Sequence, residues 1–476
     1  MAVWKSEGAM IEITIDNKTV EANEGETVLQ AALRNGIEIP HFCYHPCLSI
    51  AGNCRVCLVK VDGRPKLMPA CNQTVAPNMV VETEAPEVQS ARAAVMQFIM
   101  LNHPGDCGIC DKAGECRVQE YQFKYGMAEP ISIEPKHHKK KFNYLSERIV
   151  LDNERCILCS RCVRFTREVS KSAQLGIVER GSHSYVARLD AQPFDDPYSD
   201  NVLGICPTGA LLSREFMYKS RVWYLEPVRS VCTRCARGCS VNVWRRKKHW
   251  YVRSLGEEKN ITAYRISPLE NPEINGRWIC NTGFDLHKFM ARPRAMAPMM
   301  AGNTVTVDEA SAEANRLLAG ATNPAIILSA HASNEELQAF KEKLSPRVQV
   351  YTREDYCPAE GEVVEDDLLI RADKNPNSYS VHAMFGQKAF SAAAGHDVVI
   401  VWGDQVDYTS LGNAKIIHLT SYAPEQETRA DVLLPISTTF ERSGTFCNFE
   451  GKTNRFEQVF DKPKLVQHAS DLFGRL

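Results

Sequence analysis

Fifteen of the eighteen cysteines in this 476-residue chain, with one histidine, fall into four groups, and all four lie before residue 281. The groups are Cys43-x10-Cys54-x2-Cys57-x13-Cys71, His103-x3-Cys107-x2-Cys110-x5-Cys116, Cys156-x2-Cys159-x2-Cys162 with Cys206, and Cys232-x2-Cys235-x3-Cys239 with Cys280. Thiols in such numbers serve as disulfides or as metal ligands, and the setting decides between them. Met1 to Met10 lacks the charged-then-apolar pattern of a secretory signal. No apolar run approaches the ~18 residues of a spanning helix. A reducing setting is therefore expected, in which C-x-x-C pairs are metal ligands before they are disulfides.

The spacings then sort the chemistry. Three cysteines in one loop with a fourth further on is the layout of a [2Fe-2S] ferredoxin. Here the first gap, ten residues, is longer than in the plant type, and Ala51-Gly52 would let the loop backbone approach a cluster. Cys47 lies inside this loop without a spacing role and reads as a free thiol. In the second group three closely spaced cysteines lack a fourth partner unless His103 supplies it. A neutral imidazole in place of a thiolate makes such a site one unit less negative, and the other ring nitrogen should donate an orienting hydrogen bond. Cys156, Cys159, Cys162 and the Cys206-Pro207 pair follow the bacterial ferredoxin run, except that the proline-linked cysteine is distant, and together they make one [4Fe-4S] site. For Cys232, Cys235, Cys239 and Cys280 a cubane cluster competes with a tetrahedral zinc site. Cys357 and Cys447 have no neighbours of ligand type and read as buried structural thiols.

The length suggests several domains, and 44% hydrophobic with 24% charged residues describes a globular chain. With 56 basic against 58 acidic residues, nucleic acid is not an expected partner. Ile11 to Ile15 and Thr19 to Ala22 read as strands paired around Asp16-Asn17, with a helix from Thr27 to Asn35 stopped at Gly36. A second helix, Val88 to Asn102, would place Val88, Ala91, Val95, Phe98 and Ile99 on its packed face. The basic run Lys136 to Lys141 reads as a solvated linker. Ser240 to Trp244 and His249 to Ser254 read as a hairpin. Beyond residue 300, the runs Pro324 to Ala330, Val398 to Trp402 and Lys415 to Leu419 alternate with helical segments Asp308 to Ala319 and Asn334 to Leu344, the pattern of a parallel α/β layer. Neither a G-x-G-x-x-G nor a G-x-x-x-x-G-K-[ST] sequence occurs, so no nucleotide site of the chain's own is expected.

Four stretches carry a resemblance. They are Pro40-His41-Phe42-Cys43-Tyr44-His45-Pro46 through Ala51-Gly52-Asn53-Cys54-Arg55-Val56-Cys57, His103-Pro104-Gly105-Asp106-Cys107, Arg161-Cys162-Val163-Arg164-Phe165, and Ile205-Cys206-Pro207-Thr208-Gly209-Ala210-Leu211. In this order they resemble the large iron-sulfur subunit of NADH:quinone oxidoreductase, the respiratory complex I. Ala430-Asp431-Val432-Leu433-Leu434-Pro435 and Gly444 to Gly451 resemble a shortened molybdopterin-oxidoreductase-like domain.

The resemblance implies an α+β multidomain chain. Its parts would be a β-grasp [2Fe-2S] ferredoxin domain (10–87), a helical [4Fe-4S] segment with one histidine and three cysteine ligands (88–145), a ferredoxin-like [4Fe-4S] domain (146–225), a [4Fe-4S] domain with four cysteine ligands (226–290) and a degenerate α/β molybdopterin-oxidoreductase-like domain (291–476). It implies one [2Fe-2S] and three [4Fe-4S] clusters, with FMN and NADH bound in a partner subunit. Electrons would pass from the Cys43 site to the Cys156 site, then to the His103 site and on to quinone-proximal iron-sulfur subunits, with the Cys232 site on a branch. The chain would lie peripherally on the cytoplasmic side of a bacterial inner membrane, among the hydrophilic-arm subunits, with no membrane span and no catalytic site of its own. Two departures stand out. The gap of 40 residues before Cys280 is longer than the family pattern, and the C-terminal part is short, so that no molybdopterin is expected there. The equivalent relay subunit of an NAD-linked formate dehydrogenase or hydrogenase is the alternative, and a zinc-stabilised scaffold is a third reading.

Overall fold

The structure, a computed structural model, describes residues 10–129, 132–251, 261–353, 363–391, 394–404, 407–424 and 429–476. It divides into two compact units, Met1–Tyr224 and Leu225–Leu476. Cys357 and residues 252–254 of the expected hairpin lie outside the described residues.

The first unit begins with a five-stranded sheet ordered Lys18–Asn23, Met10–Ile15, Val80–Glu82, Leu58–Val61, Met68–Pro69. Met10–Ile15 and Lys18–Asn23 pair antiparallel with Ile15 opposite Lys18. That register leaves two linking residues, Asp16 and Asn17, both with positive φ (47° and 64°), the tight turn that suits the strand twist. Ile13 and Ile15 alternate inward and pack on Val28, Leu29 and Ala32 of the helix Val28–Arg34. Thr27 caps that helix reciprocally with Gln30, and Gly36 leaves it at φ 71°.

The next helix, Pro86–Met100, packs differently from expectation. Val88, Arg92, Met96 and Gln97 are its buried residues, while Phe98 is 73% exposed. Its Val95 and Ile99 pack part-buried against the core of Phe42, Val56 and Met96 and, with Phe98, also line an open groove. An apolar stripe marks a face that avoids water without saying what covers it. The basic run is also corrected. Lys136 donates to the carbonyls of Met100 and Leu101, Lys139 to Ser184 O (2.6 Å), and Lys141 pairs with Glu154 at 2.7 Å and more loosely with Asp106 and Asp152. It fastens the ligand loops rather than trailing as a linker.

In the second unit Leu225–Val231, Ser240–Arg246 and Arg265–Pro268 form an antiparallel sheet. The expected hairpin is replaced: Lys248–Trp250 is a 3-10 turn, and Ser240–Arg246 pairs with the strands on either side of it in sequence. Beyond residue 298 a seven-stranded sheet runs Asn303–Thr304, Met299–Met300, Val432–Pro435, Lys415–Thr420, Val398–Trp402, Ala325–Ser329, Gln349–Arg353. Its last five strands are parallel. Val398–Trp402 and Ala325–Ser329 are buried along their whole length. Ile326, Leu328, Ile400 and Trp402 face one core, Ala325, Ile327, Val399 and Val401 the other, as in a sheet covered on both sides. The helices Val307–Ala319 and Asn334–Lys343 begin in capping boxes at Thr306 and Ser333.

Candidate metal centres

Each ligand group sits where a regular element starts or stops. For the first, the pairing of Leu58 with Pro69 brings Cys57 beside Cys71, and Ala70 donates its N–H to Cys57 O (2.9 Å). Gly52 and Arg55, both left-handed (φ 61° and 57°), turn the loop that carries Cys54. Cys43, Cys57 and Cys71 are each 1% exposed. Hydrogen bonds among the thiols pull Cys43 and Cys57 below the usual thiol range and push Cys54 and Cys71 above it, so the sulfurs touch in the sequence Cys54, Cys43, Cys71, Cys57. Cys47 is exposed.

In the third group Cys162 lies in the first turn of helix Arg161–Glu168, and Cys206 ends helix Asn201–Ile205. Leu158 and Ser160 adopt left-handed φ (55° and 59°), and Leu158 N–H points at Cys156 Sγ (3.4 Å). Burial raises Cys156 to about 12 and Cys159 to about 11. The charges of Cys159 and Cys206 respectively add to these shifts, and Cys156, Cys159 and Cys206 all act on Cys162. The four thiols therefore lie within each other's field.

The second group is built around the end of helix Pro86–Met100 and the start of helix Arg117–Tyr125, for which Cys116 is the N-cap. Cys110 and Cys116 are buried and Cys107 is exposed. Burial raises the Cys110 thiol, and Cys116 to about 11. His103 is buried, and burial pushes its imidazole below its ordinary value, favouring the neutral ring. Nδ1 donates to Pro104 O at 3.0 Å, which fixes the tautomer. Nε2 is buried without a hydrogen-bond partner. A buried imidazole nitrogen left with a free lone pair, and with its opposite nitrogen anchored, has the disposition of a ligand. Arg155 and Asp106 are charged neighbours of both His103 and Cys110.

The fourth group occupies a hairpin tip. Val231 pairs with Ser240, and Cys232 N–H donates to Cys239 O (2.8 Å), so Cys232, Cys235 and Cys239 share one eight-residue loop. Cys280 caps the helix Asn281–Phe284 and lines the same cavity as the other three. Burial raises Cys280 to about 12, with the Cys235 charge next in effect. A Cβ added at Gly283 would sit 3.7 Å from Cys232 Sγ. The structure thus gathers all four cysteines despite the long gap. Among the described residues no three His, Cys, Asp or Glu side chains converge on one ion position. A cluster places its own iron and sulfide between its thiolates, so they need not meet around a point as they do for zinc.

What the spacings did not foretell is how the first three groups are laced together. Arg164 donates to Cys43 O (2.5 Å) and Cys159 O (3.2 Å). Arg161, one turn earlier, donates to Tyr44 O (2.5 Å) and Ile205 O (3.0 Å). Asn53 reaches Leu158 O (3.2 Å). These contacts join the first group to the third. Between the third and second, Arg155 forks onto Asp106 (2.5 and 3.1 Å), and Arg117 N–H donates to Pro207 O (3.0 Å). Cys206 also acts on the Cys116 thiol, and a Cβ at Gly209 would lie 2.3 Å from Cys110 Sγ. The arginines flanking cysteines were the available signal. A groove of about 500 Å³ opens onto Cys54, His103 and Cys156 together.

In the α/β part, the crevice at the carboxyl ends of the parallel strands, where such sheets bind ligands, is partly filled by the chain itself. The Arg292 guanidinium lies 4.0 and 3.8 Å from the centres of the Phe289 and Tyr422 rings and pairs with Asp404 at 3.1 Å. The space beside these side chains is about 60 Å³, well under the ~300–1,000 Å³ of ligand pockets, while a separate cavity of about 460 Å³ opens beside Ile327, Thr352 and Leu411. Cys447 is buried, and its N–H donates to Asn377 Oδ1 (2.7 Å).

Four family models match: a 2Fe-2S iron-sulfur cluster binding domain over 8–86, the NADH-ubiquinone oxidoreductase-G iron-sulfur binding region over 92–130, the ferredoxin-like domain of NADH-quinone oxidoreductase subunit 3 over 146–212, and molybdopterin oxidoreductase over 275–476. Cys232, Cys235 and Cys239 fall between the last two. The G subunit of the NADH-quinone oxidoreductase of Rickettsia felis is 36% identical over 65% of this chain and 44% of its own length. That of Streptomyces coelicolor is 34% identical over 61% of this chain and 33% of its own. The NADH-ubiquinone oxidoreductase 75 kDa subunit of Reclinomonas americana is 35% identical over 63% and 42%. The chain thus spans less than half the length of these curated relatives, and its resemblance to the large iron-sulfur subunit holds. A chain in a crystal structure of an NAD+-reducing [NiFe]-hydrogenase in the H2-reduced state overlaps 45% of this chain and 92% of its own at 28% identity, with a TM-score of 0.41, too loose an overlap to argue from.

Proposed function

We propose that this chain is the iron-sulfur relay subunit of a respiratory NADH:quinone oxidoreductase. It would take electrons from a flavin- and NADH-binding partner and pass them to quinone-proximal iron-sulfur subunits on the cytoplasmic face of a bacterial inner membrane. Cys43, Cys54, Cys57 and Cys71 hold a [2Fe-2S] cluster. His103 with Cys107, Cys110 and Cys116, Cys156 with Cys159, Cys162 and Cys206, and Cys232 with Cys235, Cys239 and Cys280 hold three [4Fe-4S] clusters. The modules follow the spans 10–87, 88–145, 146–225, 226–290 and 291–476. The lacing of the first three groups carries this reading: one arginine is bonded to both Cys43 O and Cys159 O, and one glycine lies against Cys110 Sγ beside Cys206.

When bound, the clusters supply one-electron carriage. The chain does the rest by holding and shielding. Arg161 and Arg164 fix the separation of two ligand loops through rigid, multiply bonded guanidinium groups. Arg155 and Asp106 do the same between the other two. Pro104 O orients the His103 ring, which leaves its site one unit less negative than a four-thiolate cage. Arg292, Phe289 and Tyr422 fill part of the crevice of the α/β part, and we read that part as a structural domain without molybdenum or tungsten and the chain as having no catalytic site of its own.

The test is an iron count with electron paramagnetic resonance on the purified complex. About fourteen irons per copy of this chain's sites, in one two-iron and three four-iron clusters, with little zinc, are expected. Cys159→Ala should abolish NADH-to-quinone electron flow and impair assembly. Zinc in place of iron, or full activity in Cys159→Ala, would refute the relay.

A further inference from the structure

The fourth site has a charged lining for which its four cysteines give no reason. The segment 363–374 crosses it. Ala236 donates its N–H to Asp373 O (2.8 Å), and Arg237 reaches the carbonyls of Leu368 and Leu369 (3.4 Å each). Leu369 and Ile370, both buried, face the cavity that Cys232, Cys235, Cys239 and Cys280 line. At the end of this strap Lys374 lines the same cavity, only 5% exposed.

Its ammonium donates to Val364 O (2.7 Å) and Arg371 O (2.9 Å), and at 3.5 Å to Val363 O. Among the described residues no carboxylate pairs with it. A buried cation balanced only by carbonyl dipoles is costly, and proteins keep one where an anion compensates it. Asp366, the carboxylate acting on Cys280, does not serve: one of its oxygens accepts three backbone N–H groups, from Leu368, Leu369 and Ile370 (2.9 Å each). Among the described residues the anion that remains is whatever the four thiolates hold, beside which Arg234 is the second cation on the cavity wall.

We propose that Lys374 is the counter-charge of the fourth site, and that it raises the potential at which the cluster there accepts an electron. The proposal rests on the reading that Cys232, Cys235, Cys239 and Cys280 hold a [4Fe-4S] cluster. Reduction adds one electron and no proton, making the cage one unit more negative. A fixed buried cation stabilises the reduced form more than the oxidised one, so its removal lowers the potential.

The experiment is a mediated redox titration of the purified complex followed by electron paramagnetic resonance. The fourth cluster's signal is identified as the one missing in Cys239→Ala. Lys374→Met and Lys374→Gln should each disfavour reduction about tenfold, a shift of ~59 mV to lower potential for one electron, while Lys374→Arg should keep the wild-type midpoint. Unchanged midpoints in Met and Gln variants that retain the signal would overturn the proposal. Loss of the signal in Met and Gln but not in Arg supports it, because the charge is then what the cluster requires. Loss in all three overturns it, since Lys374 would then be a packing residue. If the wild-type complex itself lacks the signal and holds about ten irons, the cluster reading fails first, and the proposal falls with it.

Discussion

Up to Tyr224 three ligand groups share residues, so that Arg164 touches two loops and Gly209 stands against a third; from Leu225 onward one group is closed by a strap from its own α/β part, with Leu369, Ile370 and Lys374 on its cavity wall. The first arrangement fixes distances between centres. On the proposed reading the second insulates a cluster and sets its charge. Electron transfer through a chain depends on spacing, whereas a side centre needs only to be kept dry and intact. The same cysteine chemistry is therefore put to two uses by what surrounds it.

Gly209→Ala is expected to break this comparison most severely. A methyl group 2.3 Å from Cys110 Sγ and 3.2 Å from Lys112 Cβ cannot be accommodated without moving the ligand loop. Loss of the His103-group resonance and at least a ~100-fold fall in NADH-to-quinone rate should follow, since a misplacement of about 1 Å can cost that much. Wild-type turnover would mean that the third and second groups are not coupled through this contact. Arg164→Met comes next. It leaves the cysteines in place but removes the bonds to Cys43 O and Cys159 O, and a ~10-fold loss of rate is expected, the lower end of what supporting residues around metal sites cost. Both resonances should persist, and their magnetic interaction should weaken. Cys239→Ala should do least to turnover, within about twofold of wild type, though it removes a whole cluster. A large loss there would place the fourth group on the main path and erase the distinction between the two units.

The grouping of the cysteines was readable because a cluster demands thiolates at short, repeated spacings, and the parallel sheet because strands such as Val398–Trp402 are apolar throughout. The lacing was not, since it depends on contacts such as Arg164 to Cys43, between segments that only the folded chain brings together. Phe98 was misassigned because an apolar stripe looks the same whether it faces a core or a groove. The Ser240–Arg246 strand was given the wrong partner because Arg265–Pro268 lies beyond a long intervening segment, and an antiparallel partner need not be the nearest apolar run. Lys374 carried no signal at all: a lysine far from any cysteine in sequence reads as surface until the strap brings it to the cavity.

A gentler perturbation separates the units by pH. His331 lies in the crevice of the α/β part near Arg234, Arg292 and Arg442, with the Asp404 carboxylate also acting on it. Burial, then these cations, outweigh Asp404 and lower its pKa to about 4. The folded ring stays neutral while the unfolded one takes up a proton near pH 6.5, so the unfolded state binds more protons below that value. Stability of the second unit should therefore be full above about pH 6.5 and fall steadily as pH drops toward 4, where the folded ring titrates as well. Thermal melts of wild type and His331→Gln across this window test it. The variant should lose this part of the pH dependence while its midpoint above pH 7 changes little. If wild type and variant fall in parallel between pH 6.5 and 4, the buried neutral imidazole is not what makes this unit sensitive to acid.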